Sequence, residues 1–305
     1  MKILLLGANG QVGHELRRAL APLGEVVAAT RDGQLADGAP CVTADLADAA
    51  SLARALDAAR ADVIVNAAAY TAVDRAEDEP GLAERINGAA VGEIGAWAAK
   101  HGARVVHFST DYVFDGASSR PYREDDTTAP LGTYGRTKLA GERALQASGA
   151  PHLILRTSWV YAARGHNFLR TMLRLGGERD ELAVVDDQTG APTPAHGLAD
   201  ATAAALRRWA VDDAPASGLF HLTAGGECTW CGFAKAIFDR ARQRGLLEHD
   251  VRVRPITTAE YPTRARRPAY SVLDNSRVNA ALAVQLADWR IGLAEVLDEV
   301  ARAGA

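Results

Sequence analysis

Tyr134 and Lys138 stand four residues apart. A helix turns once in about 3.6 residues, so this spacing puts a phenol and an ammonium on one face. A free phenol titrates near pH ~10 and a close cation favours its anion, so the pair can exchange a proton with the oxygen of a bound molecule near neutrality. Thr110 ends the apolar run Val105-Val106-His107-Phe108 and can offer a hydroxyl to the same oxygen. Phenol, amine and hydroxyl together outline a site that reduces a carbonyl. The same spacing also arises by chance on exposed helices, so it takes its meaning from the elements around it.

The first of those elements lies at the start of the chain. Lys2 to Leu6 reads as a buried parallel strand, and it runs into Gly7-Ala8-Asn9-Gly10-Gln11-Val12-Gly13 and then the helical pattern Leu16, Ala19, Leu20, Leu23. Three glycines between strand and helix allow a tight turn and let the backbone approach a pyrophosphate, whose charge then rests at the helix N-terminus. A glycine-rich hairpin is the plain alternative; the position after the first strand favours a dinucleotide. The second strand, Glu25 to Thr30, should end beside the adenosine ribose, where arginine suits a 2'-phosphate and an acid suits a free hydroxyl. It closes on Thr30-Arg31, which predicts NADPH, while Asp32 one step later leaves NADH open.

The alternation continues with a short strand at Cys41 to Ala44, a helix from Asp48 to Arg60, and a fourth strand from Asp62 into the small-residue loop Ala67-Ala68-Ala69-Tyr70. Small side chains there leave room for a ligand or for a packed helix. Pro80 to Lys100 reads as one helix containing Asn87, Ala103 to Thr110 as the fifth strand, and His107 as a packed histidine within it. A long polar loop with Pro121 and Pro130 leads to Tyr134, and such loops are usually functional. The helix continues through Leu139 to Leu145, and His152 to Tyr161 is the sixth strand.

Beyond Tyr161 the alternation loosens: a helix over Asn167 to Leu175, a strand over Leu182 to Val185, a turn-rich loop from Gln188 to Pro194, and a helix over Ala199 to Trp209. Then come a strand over Gly218 to Thr223, a helix capped by Thr229 and running through Arg244, a strand over Val251 to Thr257, and a last helix over Ile291 to Ala301. The fold class is therefore α/β: a Rossmann-type doubly wound parallel sheet with a smaller C-terminal α/β substrate lobe. Residues 1–160 form the dinucleotide-binding domain, rejoined by about 180–225, and 161–179 with 226–305 form the lobe.

Composition narrows the function. The 305 residues are 48% hydrophobic and 24% charged, as in an ordinary globular chain. A net charge of -4 and a pI near 6.1 give no general attraction to nucleic acid or to an anionic membrane. No apolar run approaches the roughly 20 residues that span a bilayer, and Leu4-Leu5-Leu6 ends too early for a secretory signal. Three cysteines make no disulfide framework, and the cytoplasm is the simplest compartment. Cys228-Thr-Trp-Cys231 has redox spacing but the wrong surroundings. Arg264-Ala-Arg266-Arg267 would ordinarily be a solvated loop; the sharper expectation is that Arg267 grips a substrate diphosphate. Trp159 could fill core or carry a sugar ring. Glu15, on the first helix, reads as surface charge.

Gly7 to Gly13, Asn66-Ala-Ala-Ala-Tyr-Thr-Ala-Val-Asp74, Ser109-Thr-Asp-Tyr-Val-Phe-Asp-Gly116, Tyr134-Gly-Arg-Thr-Lys138, Arg156-Thr-Ser-Trp-Val-Tyr161 and Asp187-Gln-Thr-Gly-Ala-Pro-Thr193 are the distinctive segments. Together they resemble the extended short-chain dehydrogenase/reductases, and more closely their dTDP-4-dehydrorhamnose reductase family, over nearly the whole chain. The glycine turn and Y-x-x-x-K mark only the superfamily; the S-T-D-Y-V-F-D-G and D-Q-x-G-A-P-T runs are narrower. The resemblance implies a triad of Thr110, Tyr134 and Lys138 and an NADPH-dependent reduction of the C4 ketone of a dTDP-sugar, dTDP-4-dehydro-L-rhamnose.

It further implies that Gly7, Gly10, Gln11, Val12 and Gly13 hold the pyrophosphate, Thr30 and Arg31 the ribose end, and Asp45 and Leu46 the adenine. Ala67, Ala68, Ala69 and Tyr70 would line the inner portion together with Tyr134 and Lys138, and Asp111 and Trp159 would face the sugar. Homodimers with magnesium held between subunits by glutamates belong to the same resemblance. Glu15 matches one such position, but His196 occupies another, which argues against a metal here. Two other readings share these residues: a nucleotide-sugar epimerase or dehydratase with tightly held NAD, and a non-catalytic regulatory subunit like that of methionine adenosyltransferase.

Overall fold

In the first strand, β1 (Lys2–Leu6), Ile3 and Leu5 point into one apolar cluster and Leu4 and Leu6 into another, and all four are fully buried. Burial on both faces marks a parallel strand sandwiched between helix layers. Residues 1–211 and 217–304 are described in this computed structural model. After β1 come α1 (Gln11–Leu20), β2 (Glu25–Thr30), β3 (Val42–Thr43), α2 (Ala49–Ala59), β4 (Val63–Asn66), α3 (Val73–Ala76), α4 (Pro80–Glu84), α5 (Ala90–His101), β5 (Arg104–Thr110), α6 (Thr133–Ala147) and β6 (His152–Thr157). The remainder holds β7 (Val160–Tyr161), α7 (Phe168–Glu178), β8 (Glu181–Val185), β9 (Thr189–Gly190), β10 (Thr193–Pro194), α8 (Ala195–Val211), β11 (Gly218–His221), β12 (Cys228–Thr229), α9 (Trp230–Gln243), β13 (Arg252–Ile256), α10 (Ser276–Leu282) and α11 (Trp289–Gly304).

The central sheet has seven parallel strands in the order β11-β6-β5-β4-β1-β2-β3. Connections run one way from β1 through β2 to β3 and the other way from β4 onward, so a crevice opens beyond the carboxyl ends of β1 and β4. This is the expected doubly wound α/β fold. Leu16, Leu20, Leu198 and Leu206 cover one face and Leu52, Leu56, Ile94 and Leu145 the other. The late strand β11 returns to the edge of this sheet. β8 does not; it pairs with β13 over a separate core of Leu169, Leu182, Phe233, Ile237 and Leu297. Among the described residues no helix is long and apolar enough to cross a membrane.

Three elements depart from the periodicity. The helix expected over Pro80 to Lys100 is broken by a π turn, Arg85–Ala89, between α4 and α5. The strand expected from His152 to Tyr161 splits into β6 and β7, because Trp159 adopts a left-handed backbone at φ 47°. A β-branched or aromatic side chain resists that conformation, so the kink is held by tertiary contacts described below. The third strand shortens to Val42–Thr43, and α3 and α10 carry too few periodic residues to be read from pattern.

Candidate active site

The glycine turn after β1 is shaped by close approach. Gly7 has φ 78°, and a side-chain carbon on it would lie 2.7 Å from the backbone nitrogen of Ala68 in the loop after β4. The same addition at Gly13 would lie 2.0 Å from the Gly7 carbonyl. No side chain caps α1 at Gly10, so the first-turn N–H groups face the crevice with the helix dipole behind them, a site for an anion. Asn9 ties this turn to the loop after β2: its amide donates to the Gln34 carbonyl (2.8 Å) and accepts from the Ala36 N–H (2.9 Å).

At the end of β2, Thr30 donates to Asp32 (2.9 Å), and the Asp32 carboxylate also lies 3.4 Å from the Gln34 N–H. These bonds hold Asp32 below the usual carboxylate range. Arg31 is exposed, and among the described residues it makes no hydrogen bond or ion pair. The acid is thus engaged and the guanidinium available. Leu46 is buried, and Asp45 turns its carboxylate onto the Ala47 N–H (2.9 Å). The cradle therefore fits a dinucleotide: an uncapped helix end, glycines that let backbone come close, and a spare arginine at the ribose end.

The Thr110 hydroxyl, at the end of β5, lies near enough to the Tyr134 phenol from α6 to favour its anion, and it donates to Asp111 (2.9 Å). Lys138, one turn further along α6, is turned inward: its ammonium donates to the Phe108 carbonyl (2.6 Å) and lies 3.3 Å from His107 Nε2. Of the three side chains expected from the sequence, Thr110 and Tyr134 come together, while the Lys138 amine does not reach the phenol. Burial pushes the phenol up to about 12 and the amine down to about 8, and Lys138 does not lower the phenol. Desolvation outweighs the cation because the amine points into the sheet, away from the phenol.

Several residues in this neighbourhood were given no role from the sequence. Asn87, in the π turn, accepts from the Tyr70 N–H (2.9 Å) and donates to the Tyr70 carbonyl (3.1 Å) and to Thr137 (3.2 Å). It fastens the Ala67–Tyr70 loop to α6, and π turns recur at functional sites for such reasons. Beneath Lys138, Glu142 forms a two-pronged pair with Arg156 (2.9 and 2.7 Å), both nearly inaccessible, and Ser109 donates to the same carboxylate. Only a polar residue at a core-facing helical position hinted at Asn87 and Glu142.

Asp111 is 1% exposed, and its Oδ2 is buried without a partner. Burial raises the carboxyl to about 6, against the nearby Ser271 hydroxyl and the hydrogen bond from Thr110, which lower it. The fold therefore favours the neutral acid; that contribution is full below pH ~4 and is lost as pH rises through about 6. Asp111→Asn should accordingly raise unfolding stability at pH 7.5 by on the order of 2 kcal/mol and leave it unchanged at pH 4. Urea unfolding at the two pH values checks this; an equal effect at both overturns it.

Trp159 lies flat against Trp230, ring centroids 3.4 Å apart at 2°, and over Gly190, where a side-chain carbon would sit 2.4 Å from the indole. This sandwich holds the left-handed turn, and one edge of Trp159 stays accessible. Arg267 grips Asp74 with both terminal nitrogens (3.1 and 2.6 Å) and also donates to Thr263 (2.6 Å). Arg264 pairs with Asp78, and the Ala265 N–H donates to Asp74 (3.0 Å). Residues 263–267 thus form a strap from the lobe across to α3.

Other expectations lie away from the crevice. Glu15 is 9% exposed and covered by Arg164 (3.7 Å), which also binds Glu299, so it is not the surface charge expected. His196 pairs with Glu295 (2.8 Å). Among the described residues no group of three His, Cys, Asp or Glu side chains is placed to hold a metal ion. Burial raises the thiols of Cys228 and Cys231, which leaves poor nucleophiles.

Comparison with known proteins bears on this crevice. The model of the family described as RmlD substrate binding domain matches residues 1–302. The dTDP-4-dehydrorhamnose reductase of Burkholderia thailandensis is 50% identical over 295 residues, 95% of this chain and 96% of that protein. That of Escherichia coli (strain K12) is 48% identical over 300 residues, 98% of each. Among solved structures, dTDP-4-dehydrorhamnose reductase from Bacillus anthracis str. Ames in complex with NADP superposes with a TM-score of 0.86 at 33% identity, over 98% of this chain and 100% of that one.

Proposed function

This chain belongs to the dTDP-4-dehydrorhamnose reductase family, and on that premise we propose that it reduces the C4 ketone of dTDP-4-dehydro-L-rhamnose to dTDP-L-rhamnose with NADPH. The observation that carries the mechanism is the buried Tyr134 phenol beside Thr110, at the carboxyl end of β5 in a sheet whose order reverses. The chemistry that bound NADPH supplies is delivery of a hydride to the C4 carbon. Tyr134 gives its proton to the C4 oxygen as negative charge grows there, and Thr110 offers that oxygen a second hydrogen bond. A phenol near 12 is a far stronger acid than the alcohol being formed, so transfer runs towards product. Lys138, turned onto the Phe108 carbonyl in this ligand-free form, would have to swing out towards the tyrosinate and the nicotinamide ribose once cofactor is bound. The unpartnered Asp111 Oδ2 accepts a sugar hydroxyl, and Trp159 flanks the ring.

Gly7, Gly10, Gln11, Val12 and Gly13 hold the pyrophosphate and Ala67 to Tyr70 the inner half of the cofactor. With Asp32 engaged by Thr30, Arg31 meets the 2'-phosphate. Arg31→Ala should raise the KM for NADPH about tenfold and leave that for NADH unchanged, the size of one exposed charge-assisted contact. Equal effects on both would remove this assignment. Arg267 is pinned by Asp74 in the ligand-free form, and the reading adds that it exchanges this partner for the diphosphate. Arg267→Ala then raises KM for the nucleotide sugar; an unchanged KM removes it. The free thiols of Cys41, Cys228 and Cys231 agree with a reducing compartment, the cytoplasm.

The decisive experiment follows NADPH absorbance on addition of dTDP-4-dehydro-L-rhamnose. Steady oxidation is expected. No oxidation, with cofactor binding intact, would overturn the catalytic reading in favour of a regulatory subunit. Protein that purifies with NAD and turns over without added cofactor would instead indicate an epimerase or dehydratase.

A further inference from the structure

His107 lies fully buried in β5, between Lys138 and Asn66, and the mechanism above makes no use of it. Its Nε2 is 3.3 Å from the Lys138 amine and its Nδ1 is 3.1 Å from the Asn66 side-chain nitrogen. Burial and the neighbouring Lys138 keep the ring well below its ordinary pKa, so it is neutral and carries one proton. A neutral imidazole donates at one nitrogen and accepts at the other. Which one donates follows from the neighbours.

Asn66 is oriented by the backbone. Its carbonyl oxygen accepts from the Ala68 N–H (3.2 Å), in the loop that lines the inner half of the cofactor cradle, so its NH₂ group faces His107. Nδ1 must then accept, the proton sits on Nε2, and Nε2–H points at Lys138. An uncharged amine can accept that bond with its lone pair while still donating to Phe108; an ammonium has only donors. Charging Lys138 therefore forces the histidine proton over to Nδ1. That move sets two donors against each other unless Asn66 turns and releases Ala68.

We propose that His107 is a positioning residue that couples the charge on Lys138, through its own tautomer and the Asn66 amide, to the backbone of the Ala67–Tyr70 cofactor loop. Binding a cofactor against Ala68 and charging Lys138 thereby become linked events. The charged group that bears on the amine is Glu142 of α6, with Arg156 of β6 behind it; His107 of β5 is the titratable group beside it, and Tyr134 of α6 and Asp111 just beyond β5 lie elsewhere on or next to the same elements. Burial brings Lys138 to about 8, against the pull of Glu142, so the coupling operates within the working pH range.

The test uses the full ligand-free chain with ¹⁵N-labelled histidine, followed by NMR from pH 6.5 to 9.5. The His107 proton should reside on Nε2 at the alkaline end and move to Nδ1 as the pH falls, and Lys138→Met should abolish the exchange. One fixed tautomer throughout, or an exchange that survives Lys138→Met, overturns the proposal. A kinetic arm separates coupling from mere packing. His107→Leu should move the midpoint of the kcat–pH profile by about one unit or more, the scale of losing a close polar partner in a buried site. His107→Gln, which can both donate and accept, should restore most of that shift. A fall in kcat that is equal at every pH would mean packing alone and would count against coupling. The proposal rests on the reductase reading, but the two fail separately: absent turnover leaves the tautomer measurement standing, and a fixed tautomer leaves turnover intact.

Discussion

Tyr134→Phe should bind NADPH with unchanged affinity and lose turnover by on the order of 10²-fold or more, the scale of a missing general acid. The ring contributes to structure through its edge-on contact with Tyr112, centroids 5.6 Å apart, and phenylalanine keeps that contact. Only the hydroxyl is lost, together with its proximity to Thr110. Thr110 still donates to Asp111, so no new buried group is stranded and the variant should fold normally. What disappears is the proton for the C4 oxygen. Thr110 cannot substitute, because a hydroxyl donor steadies the developing charge without yielding its proton. With the phenol near 12, raising the pH to about 9 does not deplete the wild-type donor, so any alkaline fall in kcat below that belongs to another group. Fluorescence titration of cofactor and steady-state assay measure the two halves of the claim. Turnover within a few-fold of wild type would exclude Tyr134 as the acid.

Glu142→Gln should have the largest effect on stability. Arg156 and Glu142 are 3% and 1% exposed, and removing one charge of such a pair leaves the other buried without compensation, at about 3–5 kcal/mol. For a chain of this size that corresponds to a fall in Tm of roughly 5–8 °C. The amide keeps the shape of the carboxylate, so the loss reads charge rather than packing. Replacing both partners, with Glu142→Gln and Arg156→Met together, should recover much of the stability, since an apolar pair of similar volume avoids the desolvation. Function should not recover with it, because Lys138 loses the carboxylate that favours its charged form. Calorimetry on the single and double variants decides; a single variant as stable as the parent would show that the pair adds nothing.

The sequence carried the sheet well because it follows from short-range pattern. Consecutive apolar residues from Ile3 to Leu6 require burial on both faces, and a four-residue spacing puts Tyr134 and Lys138 on one side of α6. The direction of the Lys138 side chain was not legible, since it depends on the Phe108 carbonyl and on His107, residues roughly thirty positions away. Trp159 reads as strand from β6 through β7, and only its stacking on Trp230 in another element explains the left-handed break. Asn87 was hidden for a related reason: helical periodicity assumes even phase, and a π turn breaks that phase. Glu15 looked exposed on its own helix until Arg164, from the loop before α7, covered it.

The irregular turn at Arg85–Ala89 carries a lesson for anyone engineering this scaffold. Each residue advances a regular helix by about 100°, so deleting one amino acid here would smooth the spiral while swinging Asn87 away from Tyr70. A redesign scored on ideal geometry would accept that deletion as an improvement. The outcome would be a sturdier rod bearing a slack coenzyme loop, so this imperfection is one that thermostabilisation should leave in place.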